Sequence, residues 1–196
     1  MRITHIDIHE IQLEYVDWIA YQLNHYYGPS KRTIYVVHTD DGRVGLGESG
    51  SPEPKDVVDQ YMGTNPFEWM GDETSIGLGT AMYDLMGQAA GVPVYKLFGQ
   101  KHRSWVPVGS WTASGHPDRM ATTVERHAEL GHTWMKFHLS PFENVIDQTE
   151  AMQEVAPRGF RIHYDFTNHG TDDHMPDLLE KLSAYEIAGC FEDPLP

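Results

Sequence analysis

Four residues of this chain have types and spacings that could do chemistry. Lys136-Phe137-His138 places a lysine and a histidine two apart in a β-rich run, and residues i and i+2 of a strand share a face. Strands of a covered parallel sheet are ordinarily apolar, so two basic side chains on one face need a reason. Both could simply lie past the strand end, in solvent; otherwise they face the mouth of a barrel. Asp165 and Glu192 each end a further β-rich run. Neighbouring strands lie about 4.8 Å apart, so the two carboxylates could share a cation. Unpaired, they would repel and one would resist ionisation. A hard divalent ion resolves this, and all-oxygen ligation favours Mg²⁺. The plainer reading is that both acids cap the loops that follow.

The elements that must position these residues alternate from Trp105 onward. Val106–Trp111, Thr133–Leu139, Phe160–Phe166 and Ala188–Glu192 read as strands, with helical patterns from Pro117, Asn144 and Asp177 between them. Such alternation means right-handed βαβ units and a parallel sheet. Trp111, His138, Asp165 and Glu192 follow one another at intervals of 27 residues, which predicts equivalent levels on successive strands. All four fall at C-terminal strand ends, where β/α barrels carry their chemistry. A closed eight-stranded barrel typically takes about 250 residues. Residues 105–196 therefore read as half of one, as if cut at mid-barrel.

Residues 1–104 read as an α+β domain. Ile3, Ile6, Ile8 and Ile11 suggest a half-buried strand, and Asp40-Asp41-Gly42 joins two β-rich runs as a hairpin. Leu78, Met82, Leu85 and Ala89 form a helical stripe closed by Gly91 and Pro93. The aromatic stretch Tyr15–Tyr27 reads as a polar loop between two strands.

The chain has 196 residues and a formal net charge of −15. That balance argues against nucleic acid or an anionic membrane as partner. The single Cys190 excludes an internal disulfide framework and fits a reducing compartment. No apolar h-region and no membrane-length apolar run are present, so a soluble, cytoplasmic protein is expected.

The chain resembles the enolase superfamily, in particular the mandelate racemase and muconate lactonizing enzyme group. The residues that carry the likeness are Met1-Arg2-Ile3-Thr4, Gly42–Glu48, Ala81–Gly87, Gly91–Gly99 and Phe191-Glu192-Asp193-Pro194-Leu195. The resemblance implies an α+β capping domain before a modified β/α barrel. Lys136 matches the first residue of a lysine-x-lysine pair, His138 stands at the second, and Asp165 and Glu192 match the first two metal ligands. Thr167 stands where asparagine is common, with Asn168 one place later. A third ligand and the later acid/base residues would fall beyond Pro196. The implied chemistry is Mg²⁺-dependent abstraction of a proton α to a carboxylate through an enediolate, with a Lys or His base. Lys136 would stabilise the substrate carboxylate, and His138 would act as base or acid.

That resemblance favours an acid-sugar dehydratase acting on a small carboxylate substrate, with a racemase or epimerase of a 2-hydroxy acid as alternative. A rival of another class is a non-catalytic truncated homologue that works by associating with another chain. An open parallel edge invites association, so a homo-oligomer is expected. Gly45-Leu46-Gly47-Glu48-Ser49-Gly50 matches a dinucleotide fingerprint but follows a hairpin arm and opens no helix; strand-end glycines account for it better. Given the resemblance, Tyr15–Tyr27 also corresponds in position to a mobile specificity loop. His163, His169 and His174 lack ligand spacing and read as structural or exposed, and Cys190 reads as a barrel-interior thiol.

Overall fold

The computed structural model describes residues 1–168, 170–171 and 173–195. His169 and Pro196 lie outside the described residues. The chain divides into two compact units: residues 1–15 with 27–104, and residues 16–26 with 105–196.

In the α+β unit, β1 (Ile3–Leu13), β2 (Ser30–Thr39) and β3 (Val44–Ser49) form an antiparallel sheet in that order. Alternation decides its faces. Thr33, Tyr35, Val37 and Thr39 of β2 are buried, while the residues between them are half-exposed. The buried face meets α3 (Ile76–Ala90), which presents Leu78, Ala81, Met82, Leu85 and Met86. Ser75 caps that helix by accepting from the Leu78 N–H, and Gly91 closes it at φ 65°. Full burial of each large apolar side chain contributes about 1.5–3 kcal/mol. A short helix, α2 (Lys55–Tyr61), adds Val58 and Tyr61 to the same core.

Gly45 and Gly47 explain the glycine-rich stretch. A Cβ on Gly45 would lie 2.6 Å from Ala81 O and from Leu85 Cγ. One on Gly47 would fall on the carbonyl oxygen of Gly77. These glycines let β3 and α3 approach closely and have no strand–turn–helix context for a dinucleotide.

The second unit carries β4 (Ser110–Ala113), β5 (Trp134–His138), β6 (Arg161–Asp165) and β7 (Ala188–Glu192) as a parallel sheet in sequence order. Helices α4 (Pro117–Glu129), α5 (Val145–Val155) and α6 (Met175–Ser183) connect the strands. Met135 and Phe137 of β5 and Ile162 and Tyr164 of β6 face the helices in a core with Met120, Val124, Met152 and Leu182. The fold is thus an α+β unit followed by the first four strands of a modified β/α barrel.

Three expectations need correction. The run from Val106 does not form strand until Ser110, and Val106 and Val108 are exposed; Pro107 offers no N–H, and β4 is an outer strand of its sheet. Trp111 is not level with His138. It pairs with Lys136, while Ala113 pairs with His138, because the first strand–helix repeat is two residues shorter than the next two. Tyr15–Tyr27 is not a loop: Asp17–Tyr27 forms helix α1, and residues 16–26 cluster with the second unit rather than with residues 1–104. Its buried Ile19 and Gln22 lie three apart on one face. Arg119 donates to the Trp18 carbonyl at 2.8 Å, and the Arg126 guanidinium lies over the Trp18 ring. Abundant tyrosines, good strand formers, masked that helical spacing.

Candidate functional site

Alternation along β5 and β6 puts Lys136 and His138, and His163 and Asp165, on the face opposite the helical core. Register then builds two levels. Lys136 pairs with His163 and His163 with Cys190; one level up, His138 pairs with Asp165 and Asp165 with Glu192. A register shift at Ile162/His163 precedes this alignment. The upper level is the C-terminal end of all three strands.

The structure brings three of the four sequence-predicted residues into contact. Lys136 Nζ lies 3.0 Å from Asp165 Oδ2 and 2.5 Å from Glu192 Oε2. His138 shares their face, pairs with Asp165 in the ladder, and adds positive charge that lowers the Asp165 pKa. The residue that sequence reasoning missed is His163, whose Nε2 is 2.8 Å from Glu192 Oε2. Its place two before Asp165 on a strand was the available signal. The thiol of Cys190, on the same level as His163, is pushed up by burial and by the nearby Glu192 charge, which leaves it a poor nucleophile.

Asp165 is held from two sides. Its Oδ1 accepts the Thr167 N–H at 3.0 Å, leaving Oδ2 to face Lys136. Thr167 and Asn168 both have left-handed backbone, at φ 51° and 59°, an uncommon conformation for a β-branched residue. Asn168 N–H donates to Asp193 O at 2.8 Å, tying the ends of β6 and β7 together. Burial raises the Asp165 pKa, but Lys136, the Thr167 N–H and the charges of Lys136 and His138 outweigh it, holding the carboxyl below its ordinary range. Lys136 is held above its ordinary value, chiefly by its bond to Glu192.

The acids fit a hard cation on their own geometry. Two carboxylate oxygens from adjacent strands converge on one point, where the Lys136 ammonium stands in for positive charge. Glu192 Oε2 is buried and meets two basic side chains, Lys136 and His163. Among the described residues, no cluster of three or more His, Cys, Asp or Glu is arranged to hold a metal ion. Asp165 and Glu192 are the two carboxylates that Lys136 brings together there.

A second polar network lies at the same strand ends. Glu143, after β5, accepts from Tyr26 Oη at 2.8 Å and from Ser114 Oγ at 3.3 Å. Buried Gln148 donates to Ser114 Oγ and to the Gly115 carbonyl. These bonds tie α1 to the loops that follow β4 and β5.

No protein-family model matches the chain. It is 26% identical over 127 residues to an arabinonate dehydratase from Saccharolobus solfataricus, a match spanning 61% of this chain and 33% of that one. The whole chain superposes on a dipeptide epimerase from Enterococcus faecalis complexed with Mg and the dipeptide L-Leu-L-Tyr, with TM-score 0.81 and 20% identity, covering 62% of it. It also superposes on a mandelate racemase/muconate lactonizing enzyme from Roseiflexus, over 99% of this chain and 60% of that one, with TM-score 0.77 and 17% identity. The chain thus shares the fold of these solved structures, and its sequence is similar to that of sugar-acid dehydratases. The likeness is partial in extent: the chain spans a third of the arabinonate dehydratase and about three fifths of the solved structures. No helix among the described residues is long and apolar enough to cross a membrane.

Proposed function

We propose that this chain carries the first half of a Mg²⁺-dependent active site that removes a proton α to a carboxylate, in an acid-sugar dehydratase. The observation that carries the reading is the convergence of Asp165 Oδ2 and Glu192 Oε2 on one cationic point, 3.0 and 2.5 Å away. Asp165 and Glu192 would hold the cation, which, when bound, supplies fixed positive charge beside the developing enediolate. Asp165 stays ionised because Lys136 and the Thr167 N–H favour its charged form. Lys136 stabilises the substrate carboxylate, and its raised pKa keeps it an ammonium at neutral pH. His138, one level higher on the same strand face, takes or returns the α-proton, a task suited to imidazole near neutrality.

A positioned base accounts for about 10²–10⁴ in rate, so the electrostatic groups must supply most of the acceleration. Dehydration removes the α-proton and the β-hydroxyl as water; racemisation returns a proton to the opposite face. Dehydration is preferred because sequence relatives include an arabinonate dehydratase and D-galactonate dehydratases, whereas the epimerase shares the fold. Both share the first step.

The test incubates the protein with aldonic acids and Mg²⁺ in D₂O. Formation of a 2-keto-3-deoxy acid supports dehydration. Deuterium at the α-carbon with no oxygen lost supports racemisation instead. Neither product, with no heat of Mg²⁺ binding, rejects the catalytic reading and leaves the non-catalytic homologue. Asp165→Asn and Glu192→Gln are each expected to weaken Mg²⁺ binding at least about tenfold, the lower end seen for altered metal shells.

A further inference from the structure

His163 sits in the barrel-facing layer one level below Asp165, where packed β/α barrels usually carry branched apolar side chains. It is flanked in register by Lys136 on β5 and Cys190 on β7. Cys190 is small, so the imidazole has room to reach across to the next strand. There its Nε2 meets Glu192 Oε2 at 2.8 Å, reaching from β6, the strand whose end carries the tie that Thr167 makes to Asp165. The two acids are thus unequal. Asp165 is fixed by a backbone N–H of its own strand end, whereas the side chain of Glu192 is met by Lys136 and His163. Lys136 already spans both acids, so His163 is the contact that Glu192 does not share with Asp165.

We infer that His163 is a positioning residue: it holds the Glu192 carboxylate inward beside Asp165 so that the two oxygens converge on one divalent cation. The inference rests on the metal-binding reading above. Outer partners of metal ligands typically change affinity about 10–100-fold when removed. His163→Leu is expected to weaken binding by that factor. His163→Gln, which keeps an N–H donor at similar reach, is expected to retain most of the affinity.

The measurement is Mn²⁺ binding to the full chain, read from the free-ion signal in electron paramagnetic resonance, with melting of the metal-free proteins alongside. Mn²⁺ serves as a hard, oxygen-preferring probe. Weak binding by His163→Leu with near-native binding by His163→Gln supports the inference. Wild-type affinity in His163→Leu overturns it while leaving the metal reading intact. Equal loss in both variants with unchanged melting also overturns it, since the donor would then be irrelevant. If His163→Leu fails to fold, the glutamine variant decides alone: affinity as low as that of Glu192→Gln overturns the proposal. No binding by the wild-type chain rejects the metal reading, and this inference with it.

Discussion

Two ionic clusters in this molecule have nearly the same contact lengths and opposite settings. On the exposed face of the antiparallel sheet, Asp7 meets His5 Nε2 at 2.8 Å and His38 Nε2 at 2.9 Å. In the parallel sheet, Lys136 meets Asp165 at 3.0 Å and Glu192 at 2.5 Å, with His163 at 2.8 Å from Glu192. The Asp7 side chain is 41% exposed and that of Asp165 only 8%. Distance alone does not distinguish a site from a solvated face. What distinguishes them is that the second cluster sits in a layer expected to be apolar, where two carboxylates share one ammonium. The α+β unit turns its charge outward and its packing inward; the β/α unit brings charge to the inner face of its strands.

The largest effect expected in the α+β unit therefore comes from packing, not charge. Gly47→Ala places a methyl group on the Gly77 carbonyl, and backbone on both sides must shift. The expected cost is about 3 kcal/mol, the upper range for overpacking, read as a lowered denaturant midpoint. Divalent-cation binding should be unchanged wherever the protein is folded. A midpoint equal to wild type would show that the close approach of β3 and α3 is not a constraint.

In the β/α unit the largest charge effect should come from Lys136→Met. It leaves Asp165 and Glu192 facing each other without their shared ammonium. Removing one partner of a fully buried pair costs about 3–5 kcal/mol; the Lys136 side chain is 30% exposed, so about 2 kcal/mol is expected. The pH dependence has a definite sign. Asp165, depressed in the folded state, contributes stability above the unfolded carboxylate value of about 3.9, lost as pH falls through its folded value. Lys136, raised in the folded state, contributes stability below its unfolded value of about 10.4, lost as pH rises through its folded value. The gap between wild type and variant should be widest between about pH 5 and 9 and close outside it. A pH-independent gap would mean lost packing rather than lost charge.

Much of this was legible beforehand for physical reasons. The apolar stripe of α3, the hairpin at Gly42 and the alternation of strands and helices after residue 105 are periodic signals. They hold because burial enforces them. The 27-residue spacing put His138, Asp165 and Glu192 on one level, since those repeats share a length. It misplaced Trp111, because a shorter first repeat shifts register by two and spacing cannot see loop length. The α1 helix was hidden because its stabilising partners, Arg119, Arg126 and Glu143, lie some hundred residues away. His163 was missed for a different reason. Ligand-spacing rules look along one chain segment, whereas its partner is on the next strand.

The smallest expected effect is the one that sharpens the contrast most. Asp7→Asn removes the carboxylate that joins His5 and His38, whose rings lie 5.8 Å apart. The hydrogen bonds from His5 and His38 hold the Asp7 carboxyl below its ordinary value, so its contribution is present above about pH 3.9 and lost on acidification. Both partners are exposed, however, and an ion pair in water gains little after side-chain entropy and screening. The melting temperature near neutral pH should match wild type, in low and in high salt. Cation binding should be untouched. Equal contact lengths would then have given opposite outcomes at Asp7 and at Lys136, with burial as the difference. A melting temperature that falls as far for Asp7→Asn as for Lys136→Met would remove that distinction, and with it the reason for treating the strand-end cluster as the site.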